Sequence, residues 1–133
     1  MRRDVYSGFV RILGEEDRET LREANNYAAD LCDLQRHAEA KSLLRKMIPV
    51  ARRVLGENDD LPFRMRKVYA KALYKADGST LDDLRKAVTM LAETERTARR
   101  VLGGSHPLTA SIEDDLQYAQ AALRARETPS TSA

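Results

Sequence analysis

Few residues of this chain are types that do chemistry, and their spacing limits what they could do. The histidines are His37 and His106 and the one thiol is Cys32. None stands at Cys-x-x-Cys or His-Glu-x-x-His spacing, so no zinc-ligand set is offered. No serine sits in a Gly-x-Ser-x-Gly turn that would expose a nucleophile. Carboxylates do cluster, at Glu15-Glu16-Asp17, Glu57-Asn58-Asp59-Asp60, Asp82-Asp83 and Glu113-Asp114-Asp115. They lack EF-hand spacing, and all but the last fall in loops or first helical turns, where acids complement the helix dipole. The expectation is no catalysis, no metal and no cofactor. A lone Cys32 cannot form an internal disulfide and reads as a small residue on a helix. Binding chemistry is better represented. Arg64, Lys67, Lys71 and Lys75 recur every three or four residues, which lines cations along one helical face, and the amides of Asn25 and Asn26 can both donate and accept.

The elements that must carry these residues are marked by a repeated junction. Ile12-Leu13-Gly14, Val54-Leu55-Gly56 and Val101-Leu102-Gly103 lie 42 and then 47 residues apart, within the range of repeat architectures. Each junction reads as a helix end, a glycine in the left-handed conformation that stops helices, and a new helix three residues on. Asp17 and Asp59 are good N-caps, and His106 precedes Pro107, a residue favoured at the first helical position.

Between junctions the apolar spacing is helical throughout. Residues 4–13 form a short amphipathic segment that looks like the tail of a preceding repeat. A helix from Arg18 to about Gln35 carries Leu21, Ala24, Tyr27, Ala28, Leu31 and Leu34 on one stripe, and a second, His37 to Leu55, keeps its phase across Pro49, so one bent helix is expected there. The next pair starts at Asp60 and at Thr80, where Thr80 and Asp83 form a capping box. Tyr27 aligns with Tyr69 at 42 residues but Ala40 with Ala87 at 47, which places the five extra residues between the paired helices, around Asp77 to Asp82. A last helix, Pro107 to about Arg126, presents Gln117, Gln120 and Arg124 where a partner helix would pack, as a polar cap would. The expected organisation is a partial leading repeat 1–13, repeats 14–55 and 56–102, a capping helix 107–126 and a disordered tail 127–133.

Composition is consistent with this. Lys+Arg 23 against Asp+Glu 21 leaves a net charge of +2, too small to imply nucleic acid or an anionic membrane. No stretch is apolar enough for a signal peptide or a membrane span, so a cytoplasmic chain is expected.

The run Ala24-Asn25-Asn26-Tyr27-Ala28, Glu39-Ala40-Lys41-Ser42-Leu43-Leu44 and Val54-Leu55-Gly56, with its Leu-Gly junctions, resembles the 42-residue tetratricopeptide repeats of kinesin light chains. The resemblance spans about residues 11 to 126. It departs at Lys67-Val68 and Asp114-Asp115, where the family has an Asn pair. It implies an all-α solenoid of antiparallel helix pairs in a right-handed superhelix, the first helix of each pair lining a concave groove. On that alignment the groove is lined by Arg22, Asn25, Asn26, Ala29 and Asp33, then Arg64, Lys67, Lys71, Tyr74 and Lys75, then Ser111, Asp115 and Tyr118. The implied function is a protein-interaction scaffold holding a peptide, acidic if the cationic stripe faces it, with Asn26 placed to grip the peptide backbone. An ordinary solvated face of Lys and Arg explains the same stripe. Two other classes fit the pattern less well: an RNA-binding helical repeat, which lacks matched polar readers in successive units, and a unit that self-associates end to end.

Overall fold

The computed structural model describes residues 2–56 and 58–127. It consists of six helices: α1 (Arg2–Leu13), α2 (Arg18–Asp33), α3 (His37–Leu55), α4 (Asp60–Tyr74), α5 (Leu81–Leu102) and α6 (Pro107–Glu127). The proposed tail at 128–133 lies outside the described residues.

Local chemistry sets the helix starts. Asp17 accepts from the Glu19 N–H at 2.9 Å and Asp59 from the Leu61 N–H at 2.9 Å, each satisfying a backbone donor that the first turn leaves orphaned. His106 does the same through its ring, Nδ1 accepting from the Leu108 N–H at 3.0 Å. Thr80 and Asp83 close a reciprocal capping box with both bonds at 3.0 Å. α3 opens without a side-chain cap and runs unbroken through Pro49.

The ends of α1, α3 and α5 share one design and that of α2 has another. Gly14, Gly56 and Gly103 have φ of 87°, 76° and 95°, and each donates its N–H to the carbonyl four residues back, at 2.9 to 3.1 Å. At Gly56 and Gly103, ψ is −177° and 153°. The stop there is therefore not the compact left-handed turn expected from the sequence but an extended positive-φ conformation that is essentially confined to glycine. α2 ends differently. Gln35, with φ 65°, takes the left-handed position, while Gln35 N–H bonds Cys32 O at 3.0 Å and Arg36 N–H bonds Leu31 O at 2.8 Å, the paired bonds of a Schellman turn. Three residues then link α2 to α3, whereas six link α4 to α5. That longer connection is tied down: Ser79 is buried, its hydroxyl donates to the Leu73 carbonyl, and Arg126 Nη1 donates to Ser79 O at 2.8 Å.

Each helix packs on the next along the chain, and α2, α4 and α6 additionally pack side by side in one layer. Apolar stripes then meet in two adjoining cores. One gathers Leu21, Ala24, Ala28 and Leu31 of α2 with Leu44, Met47 and Ala51 of α3. The other gathers Phe63 and Leu73 of α4, Leu84 and Leu91 of α5 and Ile112 of α6. Tyr69 packs against both. No repeat buries its stripe alone, which is the physical basis of a helical-repeat solenoid.

Candidate functional site: the face of α2, α4 and α6

The layer of α2, α4 and α6 positions every residue expected to line the groove, and it divides them into three groups. The first builds the seam between α4 and α6. Lys67 and Tyr74 stand two turns apart on α4 and converge on Asp115 of α6. Tyr74 OH donates to Asp115 Oδ1 at 3.3 Å, and Lys67 Nζ lies 3.1 Å from Oδ2 in an ion pair without the alignment of a hydrogen bond. Tyr74 and Asp115 are 9% and 7% exposed. Burial first, and then the Asp115 carboxylate, pushes the Tyr74 phenol well above its ordinary value. Their polar atoms thus join α4 to α6 and are turned toward each other.

The second group carries charge that neighbours neutralise. Arg22 is ion-paired with Glu19, and Arg64 Nε lies 3.1 Å from Asp60 Oδ2 one turn back. Arg18, at the start of α2, reaches across to α4, with Nε 3.0 Å from Asp59 Oδ2 and Nη2 3.1 Å from Oδ1. The bidentate geometry pulls the Asp59 carboxyl below its ordinary value, helped by the Leu61 N–H.

The third group is left with free chemistry. Among the described residues Lys71 and Lys75 make no ion pair; Lys71 is half-buried and Lys75 exposed. Lys71 and Asp33 both act on Cys32, whose thiol is raised above its ordinary value chiefly by burial, so the cation, the exposed Asp33 carboxylate and that thiol share one neighbourhood. Asn26 is half-buried, its Nδ2 3.5 Å from Glu23 Oε1, at the outer limit of a hydrogen bond. Ala29 and Ser111 are half-buried, and Tyr118 is 67% exposed. Asn25 is buried, and its Oδ1 has no hydrogen-bond partner among the described residues. It occupies in α2 the register that Lys67 occupies in α4, but at the register of Asp115 the facing helix offers Val68, which cannot donate.

No group of three or more His, Cys, Asp or Glu among the described residues could hold a metal ion, and no helix is long and apolar enough to cross a membrane. One basic feature escaped the sequence reading. Arg52 of α3 and Arg96 of α5 flank a cleft lined by α3, α4 and α5; comparing cleft-lining positions repeat by repeat would have found it.

Comparison with known proteins agrees with this geometry. No curated protein and no solved structure matches the chain. Residues 20–60 match the family model described as Tetratricopeptide repeat, a span holding nearly all of α2, the whole of α3 and the N-cap of α4. With the six stacked helices, this match supports an all-α helical-repeat solenoid that contains a tetratricopeptide repeat over residues 20–60.

Proposed function

We propose that this chain is a protein-interaction scaffold that holds an extended acidic peptide across α2, α4 and α6. Tetratricopeptide repeats generally mediate protein–protein interaction. The observation that carries the finer reading is the sorting of cations: Arg22, Arg64 and Lys67 are matched by carboxylates within the protein, whereas among the described residues Lys71 and Lys75 are not. Two unmatched ammonium groups one turn apart suit successive carboxylates of an extended chain. Asn26 adds an amide able to bond a peptide backbone in both directions, as the likeness to kinesin light chain repeats implies, and Tyr118 adds an exposed ring at the α6 end.

The test is binding of a fluorescent acidic peptide without apolar side chains to Lys71→Glu/Lys75→Glu, beside Arg22→Glu as a control at an already paired cation. The double variant is expected to weaken binding at least about tenfold with thermal stability unchanged. Equal binding by the double variant and the wild type would remove this site. Lys67 is unsuitable for charge reversal, because a Glu there would face Asp115 inside the seam.

A second reading, association between copies through α1, is favoured by one observation. Ile12, Leu13 and Val5 are 81%, 46% and 40% exposed, and with Gly8 and Phe9 they line an apolar recess. Sedimentation of a single monomeric species at high concentration would dismiss it.

A further inference from the structure

The two clefts between successive outer helices should be alike in a regular repeat, but they are not. In the first, between α1 and α3 over α2, Tyr6 and Met47 close the gap: Tyr6 OH lies 3.7 Å from Met47 Sδ, and the Tyr6 ring stacks on Tyr27 at 6.1 Å between centroids. In the second, between α3 and α5 over α4, the equivalent residues are Ile48 and Thr94. Both side chains are smaller than those they replace, and a cleft of about 510 Å³ lies here, lined along its apolar side by Ile48, Phe63 and Met90. The polar positions change in the same step. Where the first cleft has Val10, Ala24 and Pro49, the second has Arg52, Arg66 and Arg96. Arg52 and Arg96 are exposed and make no ion pair among the described residues. Glu93 is the acid that lines this cleft beside Arg52 and Arg96.

Losing bulk from the bottom and gaining arginines at the sides both convert a packed seam into a receptor. We infer that the α3–α5 cleft is a second peptide site, distinct from the α2/α4/α6 face, that takes an apolar side chain flanked by carboxylates. The apolar anchor fills the space that Tyr6 and Met47 fill one repeat earlier. Guanidinium groups suit carboxylates because their planar donors bind bidentately, and the hydrophobic and charged contacts together exclude a purely polar ligand.

Fluorescence anisotropy on the full chain tests this with three labelled peptides: an acidic nonapeptide with one central Phe, the same peptide with Ala for Phe, and the same with Gln for every acid. The Phe peptide should bind best, and Arg52→Glu/Arg96→Glu should weaken it at least about tenfold. Ile48→Tyr/Thr94→Met, which restores the residues of the first cleft, should also abolish binding while helicity by circular dichroism is kept. Lys71→Glu/Lys75→Glu should leave it within about twofold, so failure of this site and failure of the groove site are told apart. Binding of the Phe peptide that survives Arg52→Glu/Arg96→Glu in the Lys71→Glu/Lys75→Glu background, where the α2/α4/α6 face no longer offers ammonium groups to acids, would overturn the inference. So would equal affinity for the Phe and Ala peptides, or displacement of the Phe peptide by a single-stranded RNA oligomer.

Discussion

Replacing Asp115 by Ala tests whether α6 is held to the stack by its buried polar seam. The substitution removes the acceptor of the Tyr74 hydroxyl and the counter-ion of Lys67 at once. A buried hydroxyl left without a partner costs about 1–3 kcal/mol. Breaking a fully buried ion pair by deleting one partner costs about 3–5 kcal/mol, but the Lys67 side chain is 20% exposed and can turn part of its charge toward water. The combined loss is therefore placed at about 2–4 kcal/mol, and for a chain of this size that lowers the melting temperature by roughly 6–15 °C. Urea and thermal unfolding followed at 222 nm read this directly. Tyr74→Phe, which removes only the neutral bond, should cost about 0.5–1.5 kcal/mol. Lys67→Met/Tyr74→Phe/Asp115→Leu, which replaces the polar seam by apolar side chains, should recover most of the loss, because well-packed apolar replacements of buried pairs are often neutral. A change within about 0.5 kcal/mol for Asp115→Ala, the range of an ordinary surface substitution, would refute the seam.

Other consequences are as specific. Gly56→Ala should cost about 1–3 kcal/mol through backbone conformation alone, since no atom lies within 4 Å of the added methyl; Gly78→Ala, equally open but without a positive φ, should be neutral or mildly stabilising, and equal effects in urea would contradict the assignment. Asp59 has a lowered carboxyl pKa, so its stabilisation is present above the ordinary value of 3.8 and is lost as pH falls through the lowered one. Asp59→Asn should flatten that acid limb in a stability–pH series, and an unchanged slope would count against the Arg18 contact. Tyr74 has a raised pKa, so its contribution is complete below its ordinary value and is lost on the alkaline side. Tyr74→Phe should accordingly shift alkaline unfolding to higher pH, and an unmoved transition would contradict that.

The helices and their order were legible because both periodicity and stops leave marks in residue types. Leu21, Ala24, Ala28 and Leu31 fall on one stripe, and Gly14, Gly56 and Gly103 all take positive φ because their side chain-free backbone can. The Thr80–Asp83 box and the long α4–α5 connection are local features, visible within a few residues. What was not legible depends on placement between helices. Gln35 occupies a left-handed position without being glycine, since the Schellman bonds and the α2–α3 packing hold it there. Lys67 and Lys71 look alike along α4, yet one meets Asp115, 48 residues away in sequence, and the other makes no ion pair among the described residues. The α3–α5 cleft arises from residues that are absent, and a missing Tyr or Met leaves no pattern until two repeats are superposed.

The stacked arrangement is tested most directly by paramagnetic relaxation from a spin label at the exposed Ser7 position of α1, introduced as Ser7→Cys in a Cys32→Ala background. Packed helix axes lie about 8–10 Å apart, and α6 is separated from α1 by both α2 and α4. Amides of α2 and α3 should broaden strongly while those of α6 keep their intensity. Broadening of α6 equal to that of α2 would mean that the helices close around one centre, and the groove and both clefts would go with that result.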